Sequence, residues 1–499
     1  MLAGVPAFSD LNVRTYNADG AAGARAPTYP SGSEGAEQGG PVNLPEEGTL
    51  ERPLALTDVT PLAFPRSLGG WKARLSANGL AAQISQVWLG ATLANVLLYA
   101  FHVMSGRALG PQDYGLFSAL FGIVYLGGAA SNAVQVSIAR YVATGRTTPD
   151  GQAAGPIVTS ALAHMLLAGV AIIMVVSLAA PLIGSYLRIG STGPIVLLGG
   201  LLALGLLMPV TQGALLGSER FGWFAGALIV NAGGRLVLGL LALAFGLGVV
   251  GLLGAVGLAS LSALGLGLAV TRPPLALERD ALPVKPLASA LAPALLAFLV
   301  VALPTSADVV IVRHFFPATE AGLYAGAAVL GRIILFLPLA ISLVLFPKTT
   351  QHSALGNPTA GLLRKGLAMT ACLSGSVALT FMLSPGAAIS FVLGPEYLDA
   401  ASTVRLYAAA MFLFSLAVVF LYYHLATGRT GYFYYLLLPH VVLELGLLYV
   451  LHGSLTQVVL VLLTMNASLV VTSYAYTRWA GEATASPAAG LEGSYGQVA

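Results

Sequence analysis

The chain has 499 residues, of which 57% are hydrophobic and only 9% charged, with a mean hydropathy of +0.84 and a formal net charge of +3. A water-soluble fold of this size needs far more charge to cover its surface, so the composition excludes a soluble globular protein and predicts an all-α polytopic membrane protein. One cysteine, Cys372, excludes a disulfide framework and a cysteine metal site, and no nucleic-acid partner is expected.

Residues 1–65 are rich in Gly, Pro, Ala, Ser and Thr and show no apolar periodicity, which predicts a disordered cytoplasmic tail. They lack the basic start, apolar core and small-residue cleavage site of a secretory signal peptide. Residues 66–82, RSLGGWKARLSANGLAA, set Leu68, Trp71 and Leu75 near one helical face with Arg66, Lys72 and Arg74 beside them, the pattern of an interfacial amphipathic helix. Apolar segments long enough to cross the bilayer then recur. The predicted spans are 83–106, 115–139, 156–180, 194–217, 222–245 and 249–271, then 288–312, 321–346, 364–393, 402–426, 432–452 and 455–477. The charged stretch TRPPLALERDALPVKP divides these twelve into an N-terminal six-helix bundle (83–271), a cytoplasmic linker (272–287) and a C-terminal six-helix bundle (288–478), with a cytoplasmic tail at 479–499.

Basic residues gather in cytoplasmic loops. With the amino terminus inside, 17 of the 23 Lys and Arg fall in inner segments and four, Arg107, Arg188, Arg313 and Arg405, in outer ones. Both termini are therefore expected in the cytoplasm, with the chain in the cell membrane.

An even number of spans per half predicts a parallel repeat about an axis along the membrane normal. RALGPQDYGLFSALFGI (107–123) recurs as RHFFPATEAGLYAGAAVL (313–330), matching Arg107, Pro111, Gly115 and Leu116 to Arg313, Pro317, Gly322 and Leu323. LLGSERFGWF (215–224) and ATGRTGYF (426–433) form a second pair in nearly the same register. Two pseudo-symmetric bundles around a central cavity are the form of a transporter that rocks one half against the other.

Ionisable groups at mid-membrane are expensive and call for a partner, a wet cavity or a function. Arg235 and Glu444 occupy equivalent places in the two halves, and Asn231 and His440 coincide four residues earlier on the same faces. They could form the polar floor or gate of the cavity, with Glu444 or His440 carrying a proton, or a salt bridge that fixes bundle packing. Arg332 stands in the eighth span with no carboxylate nearby in sequence and suits an anionic group such as a diphosphate, or helix packing. Asn132 is a further candidate for sugar contacts or for helix-to-helix hydrogen bonds. The sequence has no His-Glu-x-x-His pair, no phosphate-cradling Gly-x4-Gly-Lys-Ser/Thr loop and no Gly-x-Ser-x-Gly elbow, and every expected outer loop is short. No catalytic residue, metal site or cofactor is assigned, and an enzyme is not expected.

ALGPQDYGLFSALFGIVYLGGAASNAVQVSIARYVATGR, ADVVIVRHFFPATEAGLYAGAAVLGRIILFLPLAISLVLFP and FVLGPEYLDAASTVRLYAA, in that order, resemble the polysaccharide-flippase branch of the multidrug/oligosaccharidyl-lipid/polysaccharide exporter superfamily. The likeness spans roughly residues 83–478. It implies export of a lipid-linked oligosaccharide by alternating access, with a basic cavity for the diphosphate and a lateral opening for the polyprenyl tail; exchange with a proton or sodium ion could bias the cycle. It also implies a place beside a polysaccharide polymerase or assembly proteins in the bilayer. Asp308, Gly322, Tyr324, Gly394 and Tyr397 match its signatures as fold markers. The alternatives are a drug or organic-cation antiporter of the same superfamily, which favours buried carboxylates, and a non-transporting scaffold of a glycan-assembly complex that depends on its tail.

Overall fold

A computed structural model describes residues 80–145, 154–273, 284–355, 357–429 and 431–485. The expected amino-terminal tail, the amphipathic helix up to residue 79, the middle of the linker and residues 486–499 lie outside the described residues. The first half comprises α1 (Leu80–Gly145), α2 (Ala154–Leu178), α3 (Ala180–Leu187), α4 (Gly193–Gly217), α5 (Phe221–Ala244) and α6 (Gly248–Thr271). The second comprises α7 (Val284–Phe315), α8 (Ala318–Ala354), α9 (Ala360–Leu383), α10 (Pro385–Val392), α11 (Ala401–Ala426), α12 (Leu438–Val450) and α13 (Leu455–Ala485). Among the described residues there is no strand.

Ten stretches, α1 counted once, are long and apolar enough to cross a membrane. α1 is two spans, because Gly110 breaks it with φ 69° and ψ 174°, a conformation open to glycine and costly for other residues, and Pro111 then starts the second arm at 111–145. Among the described residues that makes eleven crossings, and α7, 32 residues long, has the length for the twelfth that the hydropathy predicts.

The expected span 364–393 is corrected. It breaks at Ser384, where Pro385 has no N–H to continue the ladder, into α9 and the short α10. The first half does the same after α2, where Pro181 opens α3. Each half therefore carries a short helix after its third span. The linker is also shorter than expected, since α7 begins at Val284, and α13 continues to Ala485.

α4 packs on α1, α2 and α6 in the first half, as α11 packs on α8, α9 and α13 in the second, and the halves meet where α1 crosses α7 and α8. We call the end of the molecule bearing residues 106–115 and 313–322 the corner end, and the other the linker end. Both halves share one core, which runs from Phe101, Tyr114 and Phe117 through Leu187 to Tyr324 and Tyr397 at the corner end and continues in the second half to Tyr432 and Leu469. Toward the linker end each half has its own smaller core, around Ile138 and Val210 in one and around Leu363 and Phe420 in the other.

The two corners that share a sequence touch. A Cβ on Gly115 would stand 2.7 Å from the Gly322 nitrogen, and one on Gly322 would run into the Pro111 carbonyl. Two backbones pass here with no room for a side chain, which small residues alone permit. Gly322→Ala is expected to cost about 1–3 kcal/mol through overpacking. Gly254→Ala in α6, which meets nothing within 4 Å, is expected to gain a few tenths of a kcal/mol or more from helix propensity. Thermal unfolding of the detergent-solubilised variants measures both.

Candidate functional site

The second arm of α1 carries Phe117, Phe121 and Tyr125 at four-residue intervals and hence on one face. Phe117 stacks on Phe121 at 5.4 Å, and Phe121 meets Tyr125 edge-on at 5.1 Å. Two guanidinium groups lie over this stripe. Arg235 of α5 sits 5.7 Å from the Phe121 ring centre, and Arg332 of α8 sits 5.2 Å from that of Tyr125. One comes from each half.

Phe121, Tyr125 and Arg235 line a cavity of about 160 Å³ together with Ser131, Met208 and Ser260. The Nε of Arg235 is buried with no hydrogen-bond partner, and among the described residues neither arginine forms a salt bridge, although Asp308 is close enough to Arg332 for their charges to interact. A cation over an aromatic face recovers part of its lost hydration from the ring quadrupole, and its edge donors stay available. His102 stands beside the stripe, 5.0 Å from Phe121, and neither of its ring nitrogens has a partner.

Small residues bring α5 close enough for Arg235 to reach this place. A Cβ on Gly234 would stand 3.0 Å from the Ala259 Cβ of α6, and one on Gly239 would stand 2.7 Å from the Phe101 ring of α1. One turn before Arg235, Asn231 donates to Ser260 Oγ at 3.2 Å and to Met208 Sδ at 3.5 Å, which ties α5 to α6 and α4.

Arg235 and Arg332 thus share one aromatic stripe. The other candidates lie elsewhere. Glu444 is 2% exposed and close enough to Asp308 for their charges to interact, and it makes no ion pair with Arg235. His440 bonds the Met465 carbonyl of α13 through Nε2 at 2.8 Å, so it ties the fifth span to the sixth as Asn231 does. Asn132 is exposed and does not line the cavity.

The signature positions build the corner end. The buried Asp308 Oδ2 accepts the hydroxyls of Tyr324 at 2.8 Å and Tyr407 at 3.0 Å, joining α7, α8 and α11. Gly394, at φ 104°, turns the chain out of α10, and Tyr397 donates to the Gly106 carbonyl of the other half at 2.9 Å. Sequence reasoning missed Phe121, Tyr125 and Tyr407. The four-residue aromatic spacing in the second arm was the available signal for the first two, whereas nothing local marks Tyr407. Asp308→Ala would strand two buried hydroxyls and is expected to cost about 2–5 kcal/mol, against about 1 kcal/mol for Tyr407→Phe, read from thermal unfolding.

A family profile described as "Polysaccharide biosynthesis protein" matches residues 104–402. No curated protein sequence matches the chain. Among solved structures, an inward-facing multidrug resistance MATE family transporter of the MOP superfamily superposes with a TM-score of 0.64 at 16% identity, covering 79% of this chain and 95% of that one. The lipid II flippase MurJ in an inward closed conformation gives 0.63 at 10% identity, covering 78% and 87%. An outward-facing multidrug resistance MATE family transporter gives 0.54 at 17% identity, covering 80% and 96%. The fold is the one these transporters share.

Proposed function

The chain belongs to the polysaccharide biosynthesis protein family, a membrane transporter in fold, and from that premise we propose that it flips a lipid-linked oligosaccharide of the polyprenyl diphosphate type across the cytoplasmic membrane by alternating access. This membership bears out the likeness read from the corner motifs. The observation that carries the proposal is the pair of guanidinium groups, one from each half, over one aromatic stripe, neither in a salt bridge among the described residues, although Asp308 is close enough to Arg332 for their charges to interact. A cation left unpaired inside a membrane protein costs several kcal/mol, and an anionic guest removes that cost.

A diphosphate suits this pair better than a single carboxylate. It offers several oxygens to fork-shaped donors and about two negative charges for two arginines. Because Arg235 belongs to the first half and Arg332 to the second, an anion held by both ties the halves together. Its affinity then depends on their relative position, and only such a differential affinity lets a cargo shift a conformational equilibrium. The polyprenyl tail stays in lipid throughout, so the protein has only the polar head to shelter.

A second reading, a cation antiporter, draws on the buried carboxylates Asp308 and Glu444. It is disfavoured because Asp308 Oδ2 already accepts two tyrosine hydroxyls and neither carboxylate lines the cavity that Arg235 lines.

Deletion of the chromosomal gene is expected to accumulate complete lipid-linked oligosaccharides, read by mass analysis of the lipid extract, with loss of surface polymer. Intact glycans with new sensitivity to cationic dyes would favour the antiporter instead. Arg332→Ala, returned to the deletion strain, is expected to lower export more than tenfold at normal protein level, the loss of a charge-assisted contact worth about 1.5–3 kcal/mol. Arg235→Met is expected to abolish export while raising the unfolding temperature, because it replaces an unpaired buried cation with an apolar chain, a change worth about 1–4 kcal/mol.

A further inference from the structure

The last carbonyls of a helix have no partner within it, and its C-terminus carries partial negative charge, so an arginine there supplies both donors and charge. Three of the four corner-end arginines do this. Arg405 caps α9 within its own half, with Nε on the Met382 carbonyl at 3.0 Å. The other two cross. Arg107, in the first half, donates Nε to the Val392 carbonyl at 2.9 Å and an Nη2 hydrogen to that of Phe391, at the end of α10 in the second half. Arg313, its repeat partner in the second half, donates Nε to the Leu187 carbonyl at 3.1 Å, at the end of α3 in the first half.

Neighbouring contacts strengthen the second crossing. His314 stacks on Tyr186 of α3 at 3.8 Å and its Nδ1 bonds the Tyr186 carbonyl at 2.8 Å. The Gly115–Gly322 contact belongs to the same end, where the halves share a core. Toward the linker end their cores are separate. Separating the halves at the corner end therefore requires both crossed caps to break.

We propose that Arg107 and Arg313 are positioning residues of the transport cycle, a reciprocal pair of helix-terminus caps exchanged between the halves that holds the corner end shut. The inference goes beyond the proposed cargo and holds for any solute moved by this fold. The two caps differ in how readily they release. Arg107 is exposed, so water takes over its donors as it leaves, whereas Arg313 is 6% exposed and has an Nη1 without a partner even when docked. Arg107 lets go first, and Arg313 sets the height of the step.

The test uses the full chain with Cys372→Ser, spin labels on cysteines placed at the exposed positions Gln112 and Glu320, and the label-to-label distance distribution measured in lipid nanodiscs. Wild type is expected to give mainly the short distance. Arg107→Gln and Arg313→Gln are each expected to raise the long-to-short population ratio about tenfold, and the pair about a hundredfold, because the two caps do not touch and their effects add. Arg405→Gln, which removes a cap within one half, is expected to leave the distribution as in wild type. Unchanged distributions in both crossed variants, or an equal shift in Arg405→Gln, would overturn the proposal. Should the glutamine variants fail to fold, Arg107→Lys and Arg313→Lys keep the charge and lose the forked geometry; a smaller shift toward the long distance supports the proposal and no shift overturns it.

Discussion

The backbone contact between Gly115 and Gly322 is the constraint on which the rest of the molecule depends. It lies where the two halves come face to face, and a single added methyl would drive them apart. With no side chain between the two backbones, α1 lies directly on α8, Tyr397 reaches the Gly106 carbonyl, and residues of both halves close into one core. Away from that point nothing comparable joins the halves among the described residues, and each fills its own interior. The result is two bodies fastened at one end, the arrangement that lets a small change at the fastening become a large one at the far end.

Buried charge is treated in two different ways here. Asp308 accepts two tyrosine hydroxyls on Oδ2, while its buried Oδ1 has no hydrogen-bond partner, and its work is to join three helices. Arg235 and Arg332 each lie over an aromatic face and make no salt bridge among the described residues. A ring orients a guanidinium without consuming its donors, whereas a carboxylate would consume them.

Much of this was legible in the sequence, and for a definite reason. Hydropathy reports which segments cross lipid because the backbone leaves no other option there, so twelve crossings and most of their ends were readable. The repeat was readable because Arg107, Pro111 and Gly115 sit in a corner whose geometry tolerates few substitutes. The break at Ser384 was hidden, since a proline at the edge of an apolar run changes hydropathy very little. The separation of Arg235 from Glu444 was hidden too. Register between halves says that two residues are equivalent, and where the axis runs decides whether they meet. Phe121 and Tyr125 carried a visible spacing, but only Arg235 and Arg332 arriving from other helices give that spacing its meaning.

The crossed caps also bear on how such a chain arises. Arg107 reaches the short helix of the second half and Arg313 reaches that of the first, while Gly115 meets Gly322, its own counterpart. An interface in which each side offers the same patch to the other is isologous, the form that joins identical subunits about a two-fold axis. A six-helix protein carrying one copy of this corner would already be self-complementary and would pair with itself. Fusing two such genes would keep the old dimer contact inside one chain, after which Arg235 and Glu444, freed from the demand to be identical, could take different chemistry.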